Sequence, residues 1–94
     1  MGSQKKEWLV YLLECSDKSL YCGVTNNIQT RLEKHNCGTA SKYTRSRRPV
    51  SCVAKSPLLT KKEAFQLEYQ TKRLSKKDKI NFVSNAGRTN NKGR

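Results

Sequence analysis

Five side chains in this sequence carry chemistry at spacings that a small fold can bring together: Tyr11 and Tyr21, Arg31 and His35, and Glu68. A phenol can exchange a proton with water, although at an unperturbed pKa of about 10 it is a poor base at neutral pH unless cations favour its phenolate. Arg31 offers phosphate oxygens a planar fork of donors, which a lysine would match only as a point charge. One carboxylate suffices for Mg²⁺, because that ion keeps several waters and takes another oxygen from a substrate phosphate. Charge surrounds this set. Twenty Lys+Arg against seven Asp+Glu leave +13 on 94 residues, more than solubility requires, so the expected partner is a polyanion. The densest run places Lys42, Arg45, Arg47 and Arg48 around Tyr43; the cations suit a phosphate backbone, and the ring suits an unpaired base.

The elements that must position these groups are legible in outline. Residues 8–14 and 19–25 are rich in Val, Leu, Tyr and Thr, and the intervening "CSDKS" carries turn residues, so they form a β-hairpin. A two-residue loop at Asp17 and Lys18 would send the two tyrosines to opposite faces. A three-residue loop, Ser16 to Lys18, sets Tyr11 opposite Gly23 and Tyr21 opposite Leu13, so both phenols share one face, with space beside Tyr11 at the glycine. In "TNNIQTRLEKHNCG", Thr25, Asn26 or Asn27 can cap a helix that Gly38 ends. On it, Arg31 and His35 sit one turn apart on one face. "GTASKYTRSRRP" reads as a basic loop, and Pro49 introduces a short third strand, "VSCVA". "TKKE" is a capping box, Thr60 with Glu63, opening a helix with Ala64, Leu67, Thr71 and Leu74 on its buried stripe. Glu68 lies about 40° around from Ala64, at the edge of that stripe. Ser75 and Asp78 open a last short helix carrying Ile80 and Val83. The order β-β-α-β-α-α describes an α+β domain, a small antiparallel sheet of three strands flanked by helices, over 8–84. Residues 1–7 read as an extension and 85–94 as a disordered basic tail.

No apolar run approaches the roughly 20 residues of a membrane span, and the N-terminal segment lacks the apolar core of a secretory signal. The four cysteines, at 15, 22, 37 and 52, show no CxxC and no zinc spacing. They are expected to be free thiols, used as small buried hydrophobes in a cytoplasmic protein.

"LVY" at 9–11, "YCG" at 21–23, Arg31 ten positions after Tyr21, His35 a turn later and Glu68 in "EAFQLEYQTKRL" together resemble the GIY-YIG nuclease family. The likeness is to its small standalone members, in which "KYTRSRRPV" is also a familiar phrase, and it spans roughly residues 8–83. Leu9 stands where the family name has its first glycine. The resemblance implies an endonuclease that hydrolyses DNA phosphodiesters with one divalent ion, Mg²⁺ or Mn²⁺. It implies Tyr11 and Tyr21 as the motif tyrosines, Arg31 as the phosphate-binding arginine, His35 as a polar active-site residue and Glu68 as the metal ligand. Tyr11 is assigned as general base and Tyr21 as the phenol that orients water or phosphate, an order that can be reversed. Lys72 joins the 42–48 cluster as a candidate DNA contact. Selection of branched, nicked or single-stranded DNA, in repair or recombination, is the expected use, with a protein partner as one source of specificity.

Each of these side chains also has an ordinary structural use: tyrosines at a sheet surface, Arg31 solvated, His35 favoured near a helix C-terminus, Glu68 paired with Lys72 four residues on, and Cys22 in the core. The rival reading is a non-catalytic module for DNA or RNA, or an accessory subunit of a repair complex.

Overall fold

The computed structural model describes residues 5–86. The hairpin forms as its spacing predicts: β1 (Leu9–Glu14) pairs antiparallel with β2 (Leu20–Thr25), Tyr11 opposite Gly23 and Leu13 opposite Tyr21. A three-residue loop sets that register. The amide of Lys18 donates to the Cys15 carbonyl and that of Cys15 to the Ser19 carbonyl, both at 2.9 Å. Lys18 takes the left-handed conformation, φ 73°, that closes such loops. Asp17 Oδ1 accepts from both the amide and the hydroxyl of Ser19.

Helix α1 (Ile28–Cys37) is capped by Asn27, whose Oδ1 accepts from the Thr30 amide at 3.1 Å, and it ends at Gly38 with φ 84°. Of the three capping candidates, Asn27 is therefore the one used. The basic segment is not simply a loop. Ser41 Oγ accepts from the Thr44 amide and starts a single turn, α2 (Lys42–Arg45); one turn is too short for hydrophobic periodicity to reveal. Strand β3 (Ser51–Lys55) starts one residue later than expected and pairs antiparallel with β1, with a register shift between Leu12 and Leu13. The order is β2-β1-β3. Helix α3 (Lys61–Lys72) carries the capping box, Thr60 Oγ1 accepting from Glu63 N and Glu63 Oε1 accepting from Thr60 N. Helix α4 (Lys76–Ser84) is capped by Ser75. Residues 1–4 of the proposed extension, and 87–94 of the proposed tail, lie outside the described residues; Asn85 caps α4 and Ala86 packs against the core.

Central β1 is buried on both faces, as a covered strand must be. On one face Val10, Leu12, Cys22 and Ala54 pack with Ala64 and Leu67 of α3 and Val83 of α4. On the other, Leu9, Tyr11, Leu13 and Val50 pack with Ile28 and Leu32 of α1. Leu9 is thus a core residue beneath the tyrosine face. The thiols are free, but only Cys15 and Cys22 are buried; Cys37 is exposed and Cys52 half-buried, which corrects the uniform expectation. Cys37 ends α1, whose buried residue is His35, two positions earlier. Among the described residues no helix is long and apolar enough to cross a membrane.

Candidate active site

Alternation along β1 turns Tyr11 toward α1, and the missing side chain at Gly23 lets its ring lie across the neighbouring strand. A Cβ at position 23 would fall 2.5 Å from Tyr11 Cζ and inside the envelope of the hydroxyl as well. Gly23 has no left-handed backbone, so the requirement is for space alone. Lying there, the phenol meets His35, with Oη 2.9 Å from Nε2. Both residues are buried, at 2% and 1% exposure. The imidazole continues to α2, its Nδ1 2.8 Å from Thr44 Oγ1.

Thr44, fully buried, is the site-forming residue that sequence reasoning passed over. Its only signal was Ser41 three residues earlier, a helix cap inside a segment that reads as a loop. The Thr44 hydroxyl has the Ser41 carbonyl as an acceptor for its own proton, at 3.4 Å. It can therefore accept from His35 Nδ1–H, which leaves Nε2 to accept from the Tyr11 hydroxyl. Burial and then the positive charge of Arg31 both push the imidazole's pKa down, which favours its neutral form.

Thr44→Val keeps the shape but strips the buried Nδ1–H of its acceptor, which costs about 1–3 kcal/mol. The melting temperature should fall by about 4–8 °C per kcal/mol lost; an unchanged melt would show that the imidazole does not depend on this hydroxyl. The folded protein also favours neutral His35, while the unfolded chain takes up a proton at about pH 6.5. Protons therefore favour unfolding. The contribution is complete above pH 6.5 or so and is lost as pH falls below it. Melts across that range should show the slope in the parent and lose it in His35→Gln.

Burial, followed by the neighbouring Tyr21, pushes the Tyr11 phenol well above its ordinary range; Arg31 pulls it back, while Cys22 and Glu68 raise it further. Among the protein's own groups burial outweighs the one arginine, so the help expected from cations toward the phenolate falls to a metal ion. The Cys22 thiol is likewise pushed up to about 12, chiefly by burial and then by Glu68, which fits a packing role.

Tyr21 completes the aromatic floor, its ring centroid 5.0 Å from His35, 6.4 Å from Tyr11 and 5.9 Å from Tyr43. Arg31 is half-buried and, among the described residues, makes no ion pair, so its fork is available to an anion beside Tyr11. Glu68 stands on α3, which packs on the Val10 and Leu12 face of the sheet, and its charge reaches both Cys22 and Tyr11. Its side chain is 20% exposed and its Oε2 meets Lys72 Nζ at 3.2 Å, the ordinary pairing open to it. Lys72 is more than half exposed, and so is free to turn away.

The basic cluster divides. Arg47 is committed within the fold: Nε donates to Asp17 at 3.0 Å, Nη1 donates to the Tyr43 carbonyl at 2.8 Å, and its guanidinium lies 4.0 Å over the Tyr43 ring. Arg48 braces the turn between α1 and α2 by donating to the carbonyls of Arg45 and Asn36. Lys42, Tyr43 and Arg45 are exposed, and Tyr43 stands at the rim of the site, beside Tyr21.

Among the described residues no three His, Cys, Asp or Glu side chains converge to cage a metal. The donor set is a single carboxylate, Glu68, and the Arg31 fork is the other charged group whose field reaches Tyr11. That fits an ion of the Mg²⁺ kind, which fills its remaining positions with water and substrate oxygen.

Sheet order, helix placement and the tyrosine face define a class: the model of the GIY-YIG catalytic domain matches residues 7–81, and the chain belongs to the GIY-YIG family. It is a nuclease family that acts on DNA and generally uses divalent metal ions. Within it, the chain is similar to small single-domain UPF0213 proteins. That of Bacillus velezensis is 47% identical over 79 residues, spanning 84% of this chain and 80% of the relative. That of Cupriavidus pinatubonensis is 40% identical over 82 residues, spanning 87% of this chain and 91% of the relative. The solution NMR structure of the UPF0213 protein from Bacillus halodurans, 43% identical, superposes with a TM-score of 0.50 and covers 82% of each chain.

Proposed function

We propose that this protein is a metal-dependent endonuclease that hydrolyses DNA phosphodiesters at the Tyr11 face. The observation that carries the reading is the buried chain from Tyr11 through His35 to Thr44, with the charges of Arg31 and Glu68 both reaching Tyr11. A buried tyrosine with a raised pKa is a poor phenolate, but it need not ionise first. As Tyr11 Oη takes a proton from the attacking water, its own proton can pass to His35 Nε2, which Thr44 holds in the accepting tautomer. Arg31 binds the nonbridging oxygens as charge builds on them, and Tyr21 orients the water or the phosphate. Glu68 would hold the divalent ion, whose chemistry is to neutralise the phosphate and assist the leaving oxygen. Lys42, Arg45 and, once released from Glu68, Lys72 would hold flanking phosphates, while Tyr43 stacks on a base.

Cations and an exposed ring suit phosphates and unpaired bases and do not read base edges, which supports selection by DNA structure over sequence, as in repair or recombination. The test is cleavage of end-labelled single-stranded, duplex, flap and four-way-junction DNA with Mg²⁺, Mn²⁺ or EDTA. Metal-dependent cutting concentrated on branched or unpaired substrates is expected. Salt-sensitive binding without cutting in every lane would leave a non-catalytic binding module.

A further inference from the structure

The outer face of α3 carries surface that neither the core nor the tyrosine site uses. Phe65 and Tyr69 are 47% and 66% exposed, and they stand four residues apart, one turn above each other. Trp8 extends the row, its ring centroid 6.4 Å from that of Phe65. Two of the three rings carry a cation: Lys61 Nζ lies 5.3 Å over Trp8 and Arg73 Cζ 5.7 Å from the Tyr69 centroid. Two shallow depressions run along the row, one containing Trp8 and Lys61 and the other Gln66 and Tyr69, and they share Lys62 and Phe65.

We infer that this aromatic and basic row on α3 binds an unpaired DNA strand flanking the cleaved phosphate, its bases on Phe65 and Tyr69 and its backbone along the lysines and Arg73. Exposed rings interleaved with cations suit single strands, because every base has a face to stack and the backbone supplies the anion. A duplex buries those faces. Spacing agrees: rings one α-helical turn apart are separated by about 6 Å along the axis, well beyond the rise of about 3.4 Å per nucleotide in a duplex strand, so an extended strand fits better. A second copy of this chain would bring another +13 to the same surface, which opposes self-association there. The placement also joins the row to the site. Phe65 lies about 60° around the helix from Glu68 and Tyr69 about 100° in the same direction, so a strand that passes Glu68 reaches both rings by turning over α3.

This inference rests on the nuclease reading for the word "flanking", yet it can be tested apart from it. Fluorescence anisotropy in EDTA, with a labelled oligo-dT and a duplex of equal length, measures binding without turnover. Phe65→Ala/Tyr69→Ala should weaken oligo-dT binding by about 10- to 100-fold and duplex binding by less than about 2-fold. Phe65→Leu/Tyr69→Leu, apolar but not aromatic, should lose nearly as much. Tyr69→Ala alone removes an exposed ring and keeps the test open if the double variant melts early. Unchanged oligo-dT affinity, or equal loss for both ligands, would overturn the inference and leave the rings to a protein partner. A parent that never cuts DNA yet loses oligo-dT with the rings would retire the nuclease and keep the strand-binding surface; a parent that cuts while ring variants bind normally would do the reverse.

Discussion

Glu68→Gln is expected to lower Mg²⁺-dependent DNA cleavage by about 1,000-fold or more while leaving the melting temperature and DNA binding in EDTA close to those of the parent. The size follows from what the carboxylate would hold. Charge stabilisation by a catalytic metal contributes several kcal/mol, and each 1.36 kcal/mol or so is tenfold in rate. Stability should hardly move, because the ion pair of Glu68 with Lys72 is a surface i,i+4 pair with the lysine 56% exposed, and such pairs contribute about 0–1 kcal/mol. Binding should stay level or tighten slightly, since the substitution removes a negative charge from a DNA-facing rim. Parallel assays of cleavage and anisotropy decide the matter. A variant that cuts as well as the parent would take the metal away from Glu68; one that neither cuts nor binds would make the residue structural.

Gly23→Ala is the second large effect, and it acts on fold and site together. The new methyl would fall within 2.5–2.9 Å of the Tyr11 ring carbons Cζ and Cε2, and that ring, 2% exposed between Leu9, Leu13 and the α1 side chains, has no free space to enter. Overpacking of this kind costs about 1–3 kcal/mol, which in a domain of this size lowers the melting temperature by about 4–8 °C per kcal/mol. The ring must move by several tenths of an ångström at least, drawing Oη off its 2.9 Å bond to His35. Activity should therefore fall much further than stability, by about 100-fold or more, since proton transfer of this type supplies about 10²–10⁴-fold. Melting curves and single-turnover cleavage separate the two. If Gly23→Ala melts and cuts like the parent, Tyr11 does not occupy the space over the glycine.

What the sequence by itself determined was local or pairwise. Loop length and side-chain alternation placed Tyr11 over Gly23 and both phenols on one face, because register in a hairpin is a matter of counting. Thr60 and Glu63 announced the start of α3, and the 3.6-residue period put Glu68 at the edge of its buried stripe. Arg31 and His35 came together by the same arithmetic, as did the pair of Glu68 with Lys72. The likeness to the GIY-YIG family supplied the class, which the domain match bears out.

The tertiary structure decided whatever depends on segments far apart in the chain. Strand order, with β1 central, is invisible to periodicity, and so is the double burial it imposes. No spacing rule brings Thr44 to His35, because that contact needs α2, a single turn that only Ser41 hints at. The division of the arginines was hidden as well: Arg47 and Arg48 look the same as Arg45 in sequence, yet the fold ties two of them back to Asp17, Tyr43 and Asn36. Burial set the ionisation of Tyr11 and His35, since desolvation is a property of the packed interior and not of the residue. Spacing along the chain fixes which side chains share a face; only packing fixes what each face meets, and from that comes the chemistry each group can perform.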